Sequence, residues 1–242
     1  MSDHIVKAYD EDLAILKTVL AQMGGLVEQQ LDDAIDALSR RDIALADRVI
    51  QNDTKVDILE RQIEEKAILT IARRQPMARD LRDIMVAIRV ASDLERIGDL
   101  AKNTAKRAHA MSDSLPRKLM SGVTRMGRLA QQELKNILDA YAHSDAEKAL
   151  EVWRSDEELD ALYNSIFREL LTYMMEDPRN ISLCTHLLFG AKNMERIGDH
   201  ATNIAENIYY QVHGKTLAED RPKKDFTSSI RVEGIVPRKT KT

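Results

Sequence analysis

Glu95-Arg96-Ile97-Gly98-Asp99 recurs, residue for residue, as Glu195-Arg196-Ile197-Gly198-Asp199. Around this pentapeptide, residues 93–105 match residues 193–205 at eight of thirteen positions, at an offset of 100. Upstream, Asp42, Asp53 and Asp57 align with Asp145, Asp156 and Asp160 at an offset of 103, and Pro76 aligns with Pro178 at 102. Length changes in loops absorb that small drift. The chain reads as a tandem duplication with copies of about 100–110 residues. Two copies are too few for a short-period solenoid, which needs about three or more repeats.

Each copy reads as three helices. Leu13, Leu16, Leu20, Met23, Val27, Leu31, Ala34 and Leu38 step by three or four, the stripe of an amphipathic helix. Val49, Val56 and Ile63 repeat by seven, as do Ala91, Gly98 and Ala105 with Leu94 and Ala101 between. Val123, Met126, Ala130, Leu134, Ile137 and Tyr141 again step by three or four. Asp42 and Ser144-Asp145 read as N-caps, and Ser144 with Glu147 fits a capping box. Pro76, Pro116 and Pro178 each end a helical pattern. These signals predict helices over 5–39, 43–73, 78–112, 117–142, 146–175 and 180–213. The fold class is all-α: two tandem three-helix bundles over 1–113 and 114–217, with a basic flexible tail over 218–242.

Composition agrees. Glycine is 9 and proline 5 of 242 residues, too few turn-formers for a β-sandwich or barrel. An apolar fraction of 43% suffices to bury a core. Net charge is −4, split into +5 after Asp220 and −9 before Arg221. An acidic body without a basic stripe argues against a nucleic-acid partner. One cysteine, Cys184, precludes an internal disulfide and fits a reducing compartment. The N-terminal residues carry acids where a signal peptide needs an apolar run, and no apolar stretch approaches the roughly 20 residues of a membrane span. We expect a cytoplasmic protein.

The chemistry lies in the acids. Glu95 and Asp99 are four apart, as are Glu195 and Asp199, so each pair lies one turn apart on one face. Asp53 and Asp57, and Asp156 and Asp160, repeat this on the second helix of each copy. All four pairs border an apolar stripe, where a buried charge needs a partner. Two helices could gather four carboxylates around a hard cation such as Mg²⁺, Ca²⁺ or Mn²⁺, or around iron or zinc. The residues alone leave a second reading open, in which the acids pair with Arg96, Arg196 or other bases. Gly98 and Gly198, each mid-helix, point to a close approach by a neighbouring helix or by a bound group, with helix packing the favoured reading. No histidine follows a glutamate by three, and no glycine-rich phosphate loop exists. Cys184 and Trp153 read as packing residues.

Leu94–Asp99, Met194–Glu206 and Gln75–Arg82 together resemble the PhoU family, the phosphate-specific transport accessory proteins of bacteria. The resemblance covers about 1–217. It implies paired bundles with pseudo-twofold symmetry. It implies clusters of divalent or trivalent metal ions on Asp53/Asp57, Glu95/Asp99, Asp156/Asp160 and Glu195/Asp199, the metal being Fe, Zn, Mn, Mg or Ca. It implies a non-enzymatic negative regulator of phosphate homeostasis, acting on the ATPase subunit of the phosphate ABC transporter and on a phosphate-sensing histidine kinase. We further expect a homo-oligomer, a dimer, that reaches the membrane only through its partners. In the second copy Pro178-Arg179-Asn180-Ile181-Ser182 replaces Pro76-Met77-Ala78-Arg79-Asp80, so any role of Asp80 and Arg82 is not duplicated. The alternative reading is a carboxylate-bridged metalloenzyme or metal store on the same acids. For a hydrolase, no duplicated His or Lys offers an acid or base beside an open metal position.

Overall fold

A computed structural model describes residues 2–110 and 117–218. Among the described residues the chain forms six α-helices and no strand: α1 (Ser2–Arg40), α2 (Ile43–Arg74), α3 (Arg79–Ala108), α4 (Arg117–His143), α5 (Ala146–Glu176) and α6 (Ile181–His213). A 3-10 turn, Pro178–Asn180, leads into α6. The tail expected over 218–242 lies outside the described residues except for Ala218.

The helices form because their apolar stripes are continuous, and the stripes are what is buried. Leu16, Leu20, Met23, Val27, Leu31, Ala34 and Leu38 of α1 are each at most 2% exposed. The stripes of α2, α3 and α4 are buried in the same way, Val56, Ile63, Leu94, Ala101, Met126 and Leu134 among them. In the first copy α1, α2 and α3 pack on one another, and in the second α4, α5 and α6 do the same. The bundles then join through α3 against α6 and α1 against α4.

The two bundles turn their first corner identically. Arg41 and Ser144 are left-handed, at φ 57° and 52°. The next residue donates back to the helix just ended, Asp42 N to Ala37 O at 3.0 Å and Asp145 N to Ala140 O at 2.9 Å. That is a Schellman end. The same aspartates cap the following helix: Asp42 accepts from Leu45 N, and Asp145 from Glu147 N and Lys148 N. This corrects the expected capping box. Ser144 closes α4 and Asp145 alone caps α5. Helix three is also shorter than expected, ending at Ala108 rather than 112, because Ala110 N turns back to Arg107 O. Ahead of Pro76, α2 stops at Arg74 and Gln75 is left-handed at φ 51°.

Across the seam, α3 and α6 run antiparallel and meet through polar groups. Asp93 accepts from Asn203 Nδ2 at 3.3 Å and lies 2.9 Å from Nδ1 of His200. Gln211 donates to Asp83 and Asn193 to Thr104. Cys184 and Trp153 are buried, as expected of packing residues.

Candidate metal centre

The acids of each copy stand where its helices meet, and the second copy buries them more deeply. In the first, Asp53 of α2 is 4% exposed, while Asp57, Glu95 and Asp99 are half-buried. In the second, Asp156 is 1%, Asp160 4% and Glu195 5% exposed, and Asp199 is half-buried. The first helix of each copy adds a polar residue that interrupts its apolar stripe, Gln30 in α1 and Glu133 in α4, 103 apart like Asp53 and Asp156. Both are 3% exposed. The amide Nε2 of Gln30 donates to Asp53 at 3.0 Å and to the Gly98 carbonyl at 3.3 Å. Glu133 accepts from Ser155 Oγ, and its other oxygen comes to the same point beside Gly198 as Oδ1 of Asp156.

Two lysines enter these clusters. Lys102 of α3 donates to Asp99 at 2.6 Å and also to Asp53, joining α2 to α3. Lys192 of α6 donates to Glu195 at 2.8 Å, with its ammonium 5.0 Å from the centroid of the Tyr163 ring. Burial alone would lower the Lys102 pKa, but its hydrogen bonds to Asp53 and Asp99 outweigh that and raise it. Arg96 pairs with Glu95 at 3.3 Å and more loosely with Asp99 at 3.8 Å. The ion-pair reading of the first copy therefore holds in part, with Lys102 the inner base and Arg96 the outer one.

Glu60, one turn beyond Asp57, belongs to the same electrostatic group. Burial and the neighbouring Glu95 and Glu64 raise its pKa. Glu95 is raised too, by burial first and then by Asp99, with Asp57 and Asp53 adding to it. An acid whose folded pKa is raised carries a penalty that is full above that pKa. The penalty shrinks as pH falls toward the unfolded value. In chelator, the Glu60→Gln/Glu95→Gln variant should melt above the parent protein at pH 7.5, and the gap should narrow by pH 5. Thermal melts followed by circular dichroism test this, and a gap that widens on acidification contradicts it.

As the side chains stand, no three His, Cys, Asp or Glu groups among the described residues meet closely enough to hold a metal ion. The helices bring Asp53, Asp57, Glu95 and Asp99 into mutual repulsion, and Lys102 stands between two of them. The donor set nevertheless suits a hard cation. It offers carboxylates, and beside them the Gln30 amide oxygen, which is buried without a hydrogen-bond partner. Gln30, Glu133, Glu60, Lys102 and Lys192 were not among the expected residues. Gln30 and Glu133 could have been found as polar interruptions of a buried stripe. His200 pairs with Asp93 rather than with its neighbour Asp199.

Known proteins resemble this chain in sequence and in shape. The sequence profile of the PhoU domain matches residues 20–108 and again 123–208. A relative in Rhizobium meliloti, the phosphate-specific transport system accessory protein PhoU homolog, is 58% identical over 94% of this chain and 96% of its own length. The Caulobacter vibrioides protein of the same description is 52% identical over 94% of this chain and all of its own. The crystal structure of PhoU from Pseudomonas aeruginosa superposes with a TM-score of 0.81 at 40% identity, over 86% of this chain and 100% of that one. The phosphate transport system regulatory protein PhoU from Streptococcus pneumoniae gives the same TM-score at 26% identity. With both copies matched, this chain belongs to the PhoU family.

Proposed function

We propose that the protein is a cytoplasmic, non-enzymatic regulator of high-affinity phosphate uptake. It contacts the ATPase subunit of the phosphate ABC transporter and a phosphate-sensing histidine kinase, and holds both toward their off states when phosphate is plentiful. The observation that carries this reading is the match of both halves to a family whose relatives are described as accessory proteins of phosphate-specific transport. No described helix is long and apolar enough to cross a membrane, which suits an accessory protein that works through membrane partners. A regulator shifts such an equilibrium only by binding one state better than the other. The paired bundles, stiffened by the α3/α6 seam, offer a fixed surface for that.

Metal ions belong to the same reading. Asp53, Asp57, Glu95 and Asp99 would hold one group of cations and Asp156, Asp160, Glu195 and Asp199 another, the metal being Fe, Zn, Mn, Mg or Ca. Bound cations would remove the mutual repulsion of the acids and stabilise the fold by mass action. We also propose a homodimer as the working form.

Affinity capture of the tagged protein from phosphate-replete cells should recover the transporter ATPase or the histidine kinase, and recover less from starved cells. Recovery of neither, with phosphate-responsive genes unaltered in a deletion strain, would overturn the regulatory reading and leave the fold alone.

A further inference from the structure

The acids of the two clusters occupy matching positions, but the lysines do not. Lys102 follows Asp99 by three residues, whereas Lys192 precedes Glu195 by three. At the offset of 100, Thr202 stands opposite Lys102 and Ser92 opposite Lys192. Each copy thus brings one ammonium to its carboxylates, from opposite ends of the same helical row. The fifth carboxylate differs in the same way. Glu60 of α2 supplies it in the first copy, where Tyr163 is the second copy's residue, and Glu133 of α4 supplies it in the second, where Gln30 is the first copy's.

The Lys102 ammonium bridges oxygens of two helices, which is the place a bridging cation takes. The Gln30 amide beside it leaves one buried oxygen without a hydrogen-bond partner, and oxygen is the donor a hard cation takes. Both lysine side chains reach water, at 22% and 38% exposed, so either ammonium can swing outward without unfolding its helix.

We propose that Lys102 and Lys192 are internal counter-ions that set the metal affinity of the two clusters, each occupying a cation position that an incoming metal ion must clear. The proposal rests on the metal reading above. Without metal, the ammonium offsets part of the repulsion among the carboxylates. With metal, it moves to solvent and the carboxylates close on the ion. The cost of displacing it is subtracted from metal binding. A charge-assisted hydrogen bond is worth roughly a ten- to hundredfold change in an equilibrium constant, so the affinity of the first cluster is lowered by at least that order.

The test uses the full chain, stripped with chelator and titrated with Mn²⁺ against a chromophoric competitor. The second cluster is silenced by Glu195→Gln with Asp199→Asn. In that background Lys102→Thr, which carries the residue found at 202, should bind Mn²⁺ roughly tenfold more tightly or better. Lys102→Arg, which keeps the charge, should stay near the parent affinity. Without metal Lys102→Thr should melt lower, and Mn²⁺ should restore it. Lys102→Gln serves the same comparison if the threonine variant does not fold. Measurable binding that is equal in Lys102→Thr and its parent overturns the lysine's role and leaves the metal reading intact. No Mn²⁺ bound by any variant, or by the unmutated protein, overturns both.

Discussion

Leu159→Ala should cost about 2–5 kcal/mol of stability, the range for emptying a buried leucine site that cannot collapse. Leu159 is fully buried in α5, and its Cδ2 lies against the backbone of Gly198. Asp156 Oδ1 and Glu133 Oε2 come to the same point beside Gly198 as that methyl group, so part of the rim of the gap is buried carboxylate. A buried carboxylate does not move into an apolar gap without cost, so we expect the upper half of the range. Chemical denaturation with an unchanged slope measures it. A loss below about 1 kcal/mol would mean that the site collapses freely and that the packing around Gly198 is loose.

The matching glycines should respond in opposite senses. A Cβ added at Gly198 would sit 2.5 Å from Leu159 Cδ2, 2.7 Å from Asp156 Oδ1 and 3.3 Å from Glu133 Oε2. At Gly98 the nearest atoms are Val56 Cγ1 at 3.4 Å and Asp53 Oδ1 at 3.8 Å, ordinary contacts. Alanine gains about 1 kcal/mol over glycine inside a helix. Gly98→Ala should keep most of that gain. Gly198→Ala should lose a net 1–3 kcal/mol or so, because overpacking outweighs the helical preference. The double variant Leu159→Ala/Gly198→Ala should lose less than the sum of the two, by more than about 0.5 kcal/mol, since the shortened leucine makes room for the methyl group. Equal effects of alanine at both glycines would contradict the tighter packing of the second copy.

The helices were legible because α1 and α4 carry stripes stepping by three or four, α2 and α3 carry repeats of seven, and the duplication with its caps and prolines extended the reading to α5 and α6. What failed lies where local hydrogen bonding decides. Ser144 and Asp145 are both good caps, and only the left-handed backbone at 144 shows which residue closes one helix and which opens the next. The acids were found because both copies keep them. That comparison is blind to residues that differ between copies, which is why Lys102, Lys192, Glu60 and Glu133 stayed hidden. Their contribution is electrostatic and depends on which helix face meets which, a matter of packing rather than of spacing.

The seam between the bundles also determines which halves can assemble. Asp93, with 14% of its side chain exposed, faces His200 and Asn203, but the position matching His200 in the first copy is Leu100, and the position matching Asp93 in the second is Asn193. Two first halves brought together about the same axis would set Asp93 against Leu100, stranding a carboxylate on an apolar side chain. Two second halves would set the neutral Asn193 against His200. Self-complementarity has been lost on one side, so fragments made separately would recombine first with second in preference to first with first. The polar contacts that hold the bundles back to back thereby commit the two halves to each other.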